Sequence, residues 1–114
     1  MGACDFECVA FGKTAEEAFW EAVGHAQWAH GHAGYTGTVA EKDRFVRIKL
    51  PVGLTAVDYA RKLIGNGDPR IDDKWGPAGC IEVPDAERAT VIKGYWLADH
   101  PELRLFLFFG IASE

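Results

Sequence analysis

The sequence predicts an α+β domain in which two helices cover one face of an antiparallel sheet, in the order β-α-β-β-α-β-β-β. Three observations carry this. Two stretches open on a threonine N-cap and then hold an apolar period of 3.6 residues. Several short runs alternate apolar with polar residues between Gly and Pro breaks. The first six elements match the split β-α-β layout of ferredoxin-like folds, with a C-terminal hairpin added.

Residues 6–11 read as the first strand, ended by Gly12-Lys13. Thr14 is the N-cap of the first helix and Glu17 completes a capping box, with Glu16 and Glu17 at the positive end of the helix dipole. Its core stripe is Ala15, Phe19, Ala22, Val23 and Ala26, which leaves Trp20 to the side and Trp28 nearly opposite. Glycine at every third position makes residues 31–37 a loop. Residues 38–41 and 45–50 read as two strands joined at Lys42-Asp43, with Pro51 and Gly53 ending the pair. Thr55 caps the second helix, whose apolar residues Ala56, Tyr59, Ala60, Leu63 and Ile64 lie on one stripe, and Gly65-Asn66-Gly67 stops it. Residues 68–79 are a long Pro, Gly and Asp loop around Trp75. Strands at 80–83, 90–97 and 103–112 finish the chain, the last two joined by a hairpin at residues 99–102.

At 114 residues, 48% of them apolar, the chain has the size and composition of one packed domain. The longest apolar run, residues 105–111, is far short of the roughly 20 residues of a transmembrane helix. An acidic start without a basic and apolar leader, together with three cysteines, predicts a cytoplasmic protein without a disulfide framework. The net charge of −5 is spread in both signs along the chain, which excludes a basic nucleic-acid stripe and a dense acidic DNA mimic.

The run 105–111 is apolar on both strand faces, so helices on one side leave the other to be covered. Phe106 and Phe108, with Ile92 and Trp96 on the neighbouring strand, predict an aromatic patch and a homodimer formed through it. Folding of loop 68–79 over the patch, or curling of the sheet, is the alternative.

Candidate chemistry is sparse. His25, His30 and His32 are close in sequence, but helical positions five apart do not face each other and no acid or cysteine joins them, so no metal site is assigned. The loop 31–38 offers accessible amides with the hydroxyls of Tyr35, Thr36 and Thr38, a composition suited to an anion, although it lacks the lysine of a P-loop and the spacing of a dinucleotide motif. Gly34, Tyr35, Thr36, Thr38, the nearby Arg47 and the aromatic Trp75 are therefore the candidate ligand-binding residues. The alternative for Trp75 is a plug at the end of the core. Cys80 on a strand carries no nucleophile signature, no cofactor motif is present, and no catalytic residue is assigned.

The phrase His32-Ala33-Gly34-Tyr35-Thr36-Gly37-Thr38-Val39-Ala40-Glu41-Lys42, taken with Lys74-Trp75-Gly76-Pro77-Ala78, resembles a pattern in small phage, prophage and metagenomic proteins. The resemblance covers about 16 residues and brings no catalytic or binding residue with it. It implies an accessory protein that acts by binding. The expectation is a non-enzymatic binder of a nucleotide-like small molecule or a host defence protein. The alternatives are a small hydrolase or transferase using Cys80 or a histidine, and a structural oligomeric subunit.

Overall fold

A computed structural model describes residues 2–31, 34, 36–92 and 103–114. The strand β1 (Ala3–Gly12) leads into the helix α1 (Ala15–His30), which starts where its capping box places it. Thr14 Oγ1 accepts the Glu17 amide at 3.1 Å and Glu17 Oε1 accepts the Lys13 amide at 3.2 Å, so two orphan donors are satisfied reciprocally. After a single 3-10 turn at Val39–Glu41 come β2 (Phe45–Arg47), α2 (Ala56–Gly65), β3 (Ala78–Glu82), α3 (Asp85–Ile92) and β4 (Arg104–Ser113). The α+β class is as the sequence predicts.

The sheet order is β1-β4-β3-β2, antiparallel except for the parallel pair β2 and β3. β4 is therefore central. Phe108 pairs with Cys8 on one side and Cys80 on the other, and Leu107 with Val9 and Ile81. Phe106 and Phe108 point to the face covered by α1, where Phe19 stacks edge-on to Phe108 at 5.5 Å between centroids. Leu105, Leu107 and Phe109 point to the other face, where Ala56, Ala60 and Leu63 of α2 meet Ile71, Ile81 and Val83. Each of these buried large side chains contributes about 1.5–3 kcal/mol. α3 lies on the α2 side, where the Glu87 carboxylate accepts the Ala56 and Val57 amides at 2.7 and 3.3 Å and so caps the N-terminus of α2.

Several sequence expectations are corrected by this arrangement. The two long helices lie on opposite faces, so the strand order and layering depart from the ferredoxin-like layout. Phe106 and Phe108 are fully buried, and the face expected to await a partner is already covered within the chain. Ile92 ends a helix rather than sitting on a strand beside them, because Pro84, Asp85 and Glu87 build a helical first turn: the Glu87 and Arg88 amides donate to the Pro84 carbonyl at 2.9 and 3.2 Å. Trp96 and the rest of the expected strand 93–97 lie outside the described residues. Residues 38–41 form no strand, since Thr38 Oγ1 accepts the Ala40 amide and caps the 3-10 turn instead. β2 is short and pairs in parallel with β3 through the α2 crossover, with the Ile48 amide extending the ladder to the Cys80 carbonyl at 2.9 Å.

Phe109 imposes a glycine on its neighbour. A Cβ on Gly79 would lie 2.5 Å from Phe109 Cζ, so the ring occupies the space that a side chain would need. Gly79→Ala is expected to lower stability by about 1–3 kcal/mol through overpacking. Denaturant midpoints measure this, and Phe109→Leu in the same chain should recover part of the loss.

Candidate functional site

The loop singled out for anion binding carries an anion of its own. Glu41 Oε2 accepts the Thr36 amide at 3.1 Å and the Thr36 hydroxyl at 2.8 Å, and the Thr36 and Thr38 hydroxyls lie 2.8 Å apart. The Gly37 amide donates to the Ser113 carbonyl at 2.8 Å. Gly34 and Gly37 adopt positive φ, 79° and 70°, which glycine permits at little cost. A carboxylate of the chain thus occupies donors that a ligand phosphate would use. Tyr35 lies outside the described residues.

The next residue holds the second glycine-containing loop. Lys42 is 3% exposed, and its ammonium donates to the carbonyls of Asp73, Lys74 and Gly76 at 3.3, 3.1 and 3.0 Å. Burial pulls its pKa below the usual lysine range, with Asp73 opposing that shift. The Trp75 amide donates to Asp73 Oδ1 at 2.9 Å, which fixes the turn from which the indole projects. Trp75 is 62% exposed, with the Lys74 ammonium 5.3 Å from its ring centroid, so it does not plug the core, whereas Ile71 is buried.

Arg47 joins a cluster at the other end of β3. Its guanidinium lies 5.3 Å from the Phe106 ring centroid, and that of Arg104 5.2 Å from it. Glu82 pairs with both, at 3.7 Å to Arg47 and in a two-point contact with Arg104. The hydrogen bond from Arg104 is the main reason the Glu82 carboxyl is held below its usual range. Both guanidinium groups thus lie against the buried Phe106 ring. Arg47 and Trp75 belong to opposite ends of the β2–β3 pair, and the structure does not bring all the expected ligand residues into one site.

A concavity of about 870 Å³ lies elsewhere, between α1 and residues 6–11 of β1. Gly2 and Glu114 exchange two backbone bonds of 3.2 Å each, which sets the ladder parity: even-numbered residues of β1 direct their amides and carbonyls to β4. Ala3, Asp5, Glu7 and Val9 direct theirs the other way, where none of the described residues supplies a strand. On the α1 side Phe6 and Cys8 form the floor and Glu17, Glu21 and His25 overhang it; on the other side lie Val9, Phe11, Val91 and Leu103.

Reactive groups are few among the described residues. Cys80 is fully buried, and burial pushes its thiol up to about 12, which makes it a packing residue rather than a nucleophile. No group of three or more His, Cys, Asp or Glu among the described residues is placed to hold a metal ion, and no described helix is long and apolar enough to cross a membrane. The signal in sequence for the α1 wall of this concavity is Glu17, Glu21 and His25 at four-residue spacing beside the core stripe, which the role of Glu17 at the helix dipole masks. No protein-family model, no curated protein and no solved structure matches this chain.

Lys42→Met is expected to lower stability by about 1–3 kcal/mol, because it leaves three carbonyls of the Trp75 loop without their donor. Urea midpoints measure this. Cys80 makes stability depend on alkaline pH: the folded chain holds the thiol proton more tightly than the unfolded chain. Its contribution is full below the ordinary thiol range near 8.5 and is lost as pH rises toward about 12. Midpoints taken from pH 7 to about 10.5 should fall more steeply for the wild type than for Cys80→Ala.

Proposed function

We propose that this chain is a non-enzymatic binding protein that holds an extended segment of another protein as a fifth strand on β1. The reading rests on one observation: β1 is ten residues long, and the backbone groups of Ala3, Asp5, Glu7 and Val9 are directed away from β4, to a side on which none of the described residues supplies a strand. Strand addition uses such an edge for affinity through main-chain hydrogen bonds, and adjoining pockets for side-chain selection. A long open edge is otherwise an aggregation hazard, which acidic Asp5 and Glu7 on β1 moderate. The accessory role implied by the phage-type resemblance agrees with a binder. The buried, high-pKa Cys80 takes support from the hydrolase or transferase alternative.

Proline at an odd-numbered position separates edge binding from folding. Val9→Pro removes an amide that β4 does not use, at a site where edge strands tolerate proline. A random-peptide library panned against the wild type should yield extended binders that lose most of their affinity for Val9→Pro, with the circular dichroism spectrum and melting temperature of the two chains alike. Binders indifferent to Val9→Pro overturn the reading.

A further inference from the structure

Three main-chain carbonyls of the Trp75 loop converge on one ammonium. Lys42 Nζ lies 3.3 Å from the Asp73 carbonyl, 3.1 Å from that of Lys74 and 3.0 Å from that of Gly76, and the residue is 3% exposed. An ammonium carries three N–H donors and no acceptor, so one carbonyl for each donor satisfies it. The oxygens come from a turn 31 to 34 residues further along the chain.

The turn is built to aim them. The Gly76 amide donates to the Asp73 carbonyl at 2.9 Å, which closes four residues into a turn, and the Trp75 amide donates to Asp73 Oδ1 at 2.9 Å. Those two amides are thus spent inside the turn, while its carbonyls point at Nζ. A Cβ on Gly76 would lie 3.2 Å from Asp73 Cβ and 3.3 Å from the Asp73 carbonyl oxygen, so the turn is tightly closed. Lys42 is held from its own side as the C-cap of the 3-10 turn, its amide donating to the Val39 carbonyl at 3.0 Å. Carbonyl oxygens gathered in a buried place repel one another and lack water, and a cation among them removes both costs. Rings of main-chain carbonyls hold monovalent cations in this way elsewhere in proteins.

We infer that the turn 73–76 is a binding site for a primary ammonium ion, occupied in cis by Lys42, and that it takes up a free alkylammonium of matching length once that side chain is removed. The site reads N–H direction as well as charge, because each oxygen takes one donor. Lys42 is in this sense a positioning residue for Trp75: the ion fixes the turn from which the indole projects. The inference goes beyond the strand-addition reading and does not depend on it.

Lys42→Ala deletes a group with the shape of propylammonium. Urea midpoints of this variant, of Lys42→Met and of the wild type are measured in propylammonium chloride and in tetramethylammonium chloride, which has the charge but no N–H, at equal ionic strength. Propylammonium at about 0.1 M is expected to recover about a third or more of the midpoint that Lys42→Ala loses, as for any ligand held by the folded chain alone. Tetramethylammonium should recover none, and Lys42→Met, whose side chain fills the vacated space, should respond no more than the wild type. The Trp75 indole 1H–15N resonance, assigned by its loss in Trp75→Phe, should move back toward its wild-type position in the same titration. Equal recovery by both salts, an equal response of Lys42→Met, a folded Lys42→Ala indifferent to propylammonium, or recovery that leaves the indole unmoved overturns the inference. Should Lys42→Ala fail to fold, the wild type carries the test. The 1H–15N signal of the Lys42 ammonium, assigned by its loss in Lys42→Met, is expected to persist at neutral pH where exposed lysines exchange too fast to be seen, and its absence overturns the inference.

Discussion

Everything in this fold depends on β4 being apolar on both sides. A strand that presents Phe106 and Phe108 to one face and Leu105, Leu107 and Phe109 to the other must be central in its sheet and covered above and below. α1 and α2 are therefore driven to opposite faces, and the neighbours of β4 are selected to fit. Gly79 is bare because the Phe109 ring lies across it, and Cys80 is small and apolar because Phe108 pairs beside it. The cost of centrality is carried at the margins: with β3 on one flank and β1 on the other, β1 is the outer strand among those of the described residues.

The elements that sequence reading recovers are those governed by local chemistry. Thr14 with Glu17 and Thr55 with Asp58 mark two helix starts, and the structure makes those capping bonds at 3.1 and 3.2 Å. A short apolar-rich run ended by Gly12-Lys13 marks β1, and a continuous apolar run marks β4. What escapes is set by long-range pairing or by close competition between local options. Residues 45–47 look like half of a hairpin, yet their partner is β3, more than thirty residues away, reached through a helix. Residues 85–92 contain Val91 and Ile92, which favour strand, but Pro84, Asp85 and Glu87 dictate the first turn of a helix. The two apolar sides of β4 are legible in sequence; that the long helices lie on opposite faces and cover both is not.

The site was legible in a similar, divided way. Composition identified the loop 31–38 and the Trp75 loop as rigid turns with polar groups. It could not reveal that Glu41 already satisfies Thr36, since a carboxylate five residues away is indistinguishable in sequence from a solvated one. The β1 groove belongs to no single segment: it arises where a helix overhangs a strand edge, and only the sheet order discloses which strand that is.

The two glycine-containing loops share a hinge pin. Glu41 fastens one and Lys42 fastens the other, so the last residue of the 3-10 turn and its C-cap carry opposite charges into opposite loops. A tug on Thr36 is transmitted through a single peptide unit to the carbonyls around Trp75. The two surfaces, far apart in sequence, are thereby tied to one short stretch of backbone.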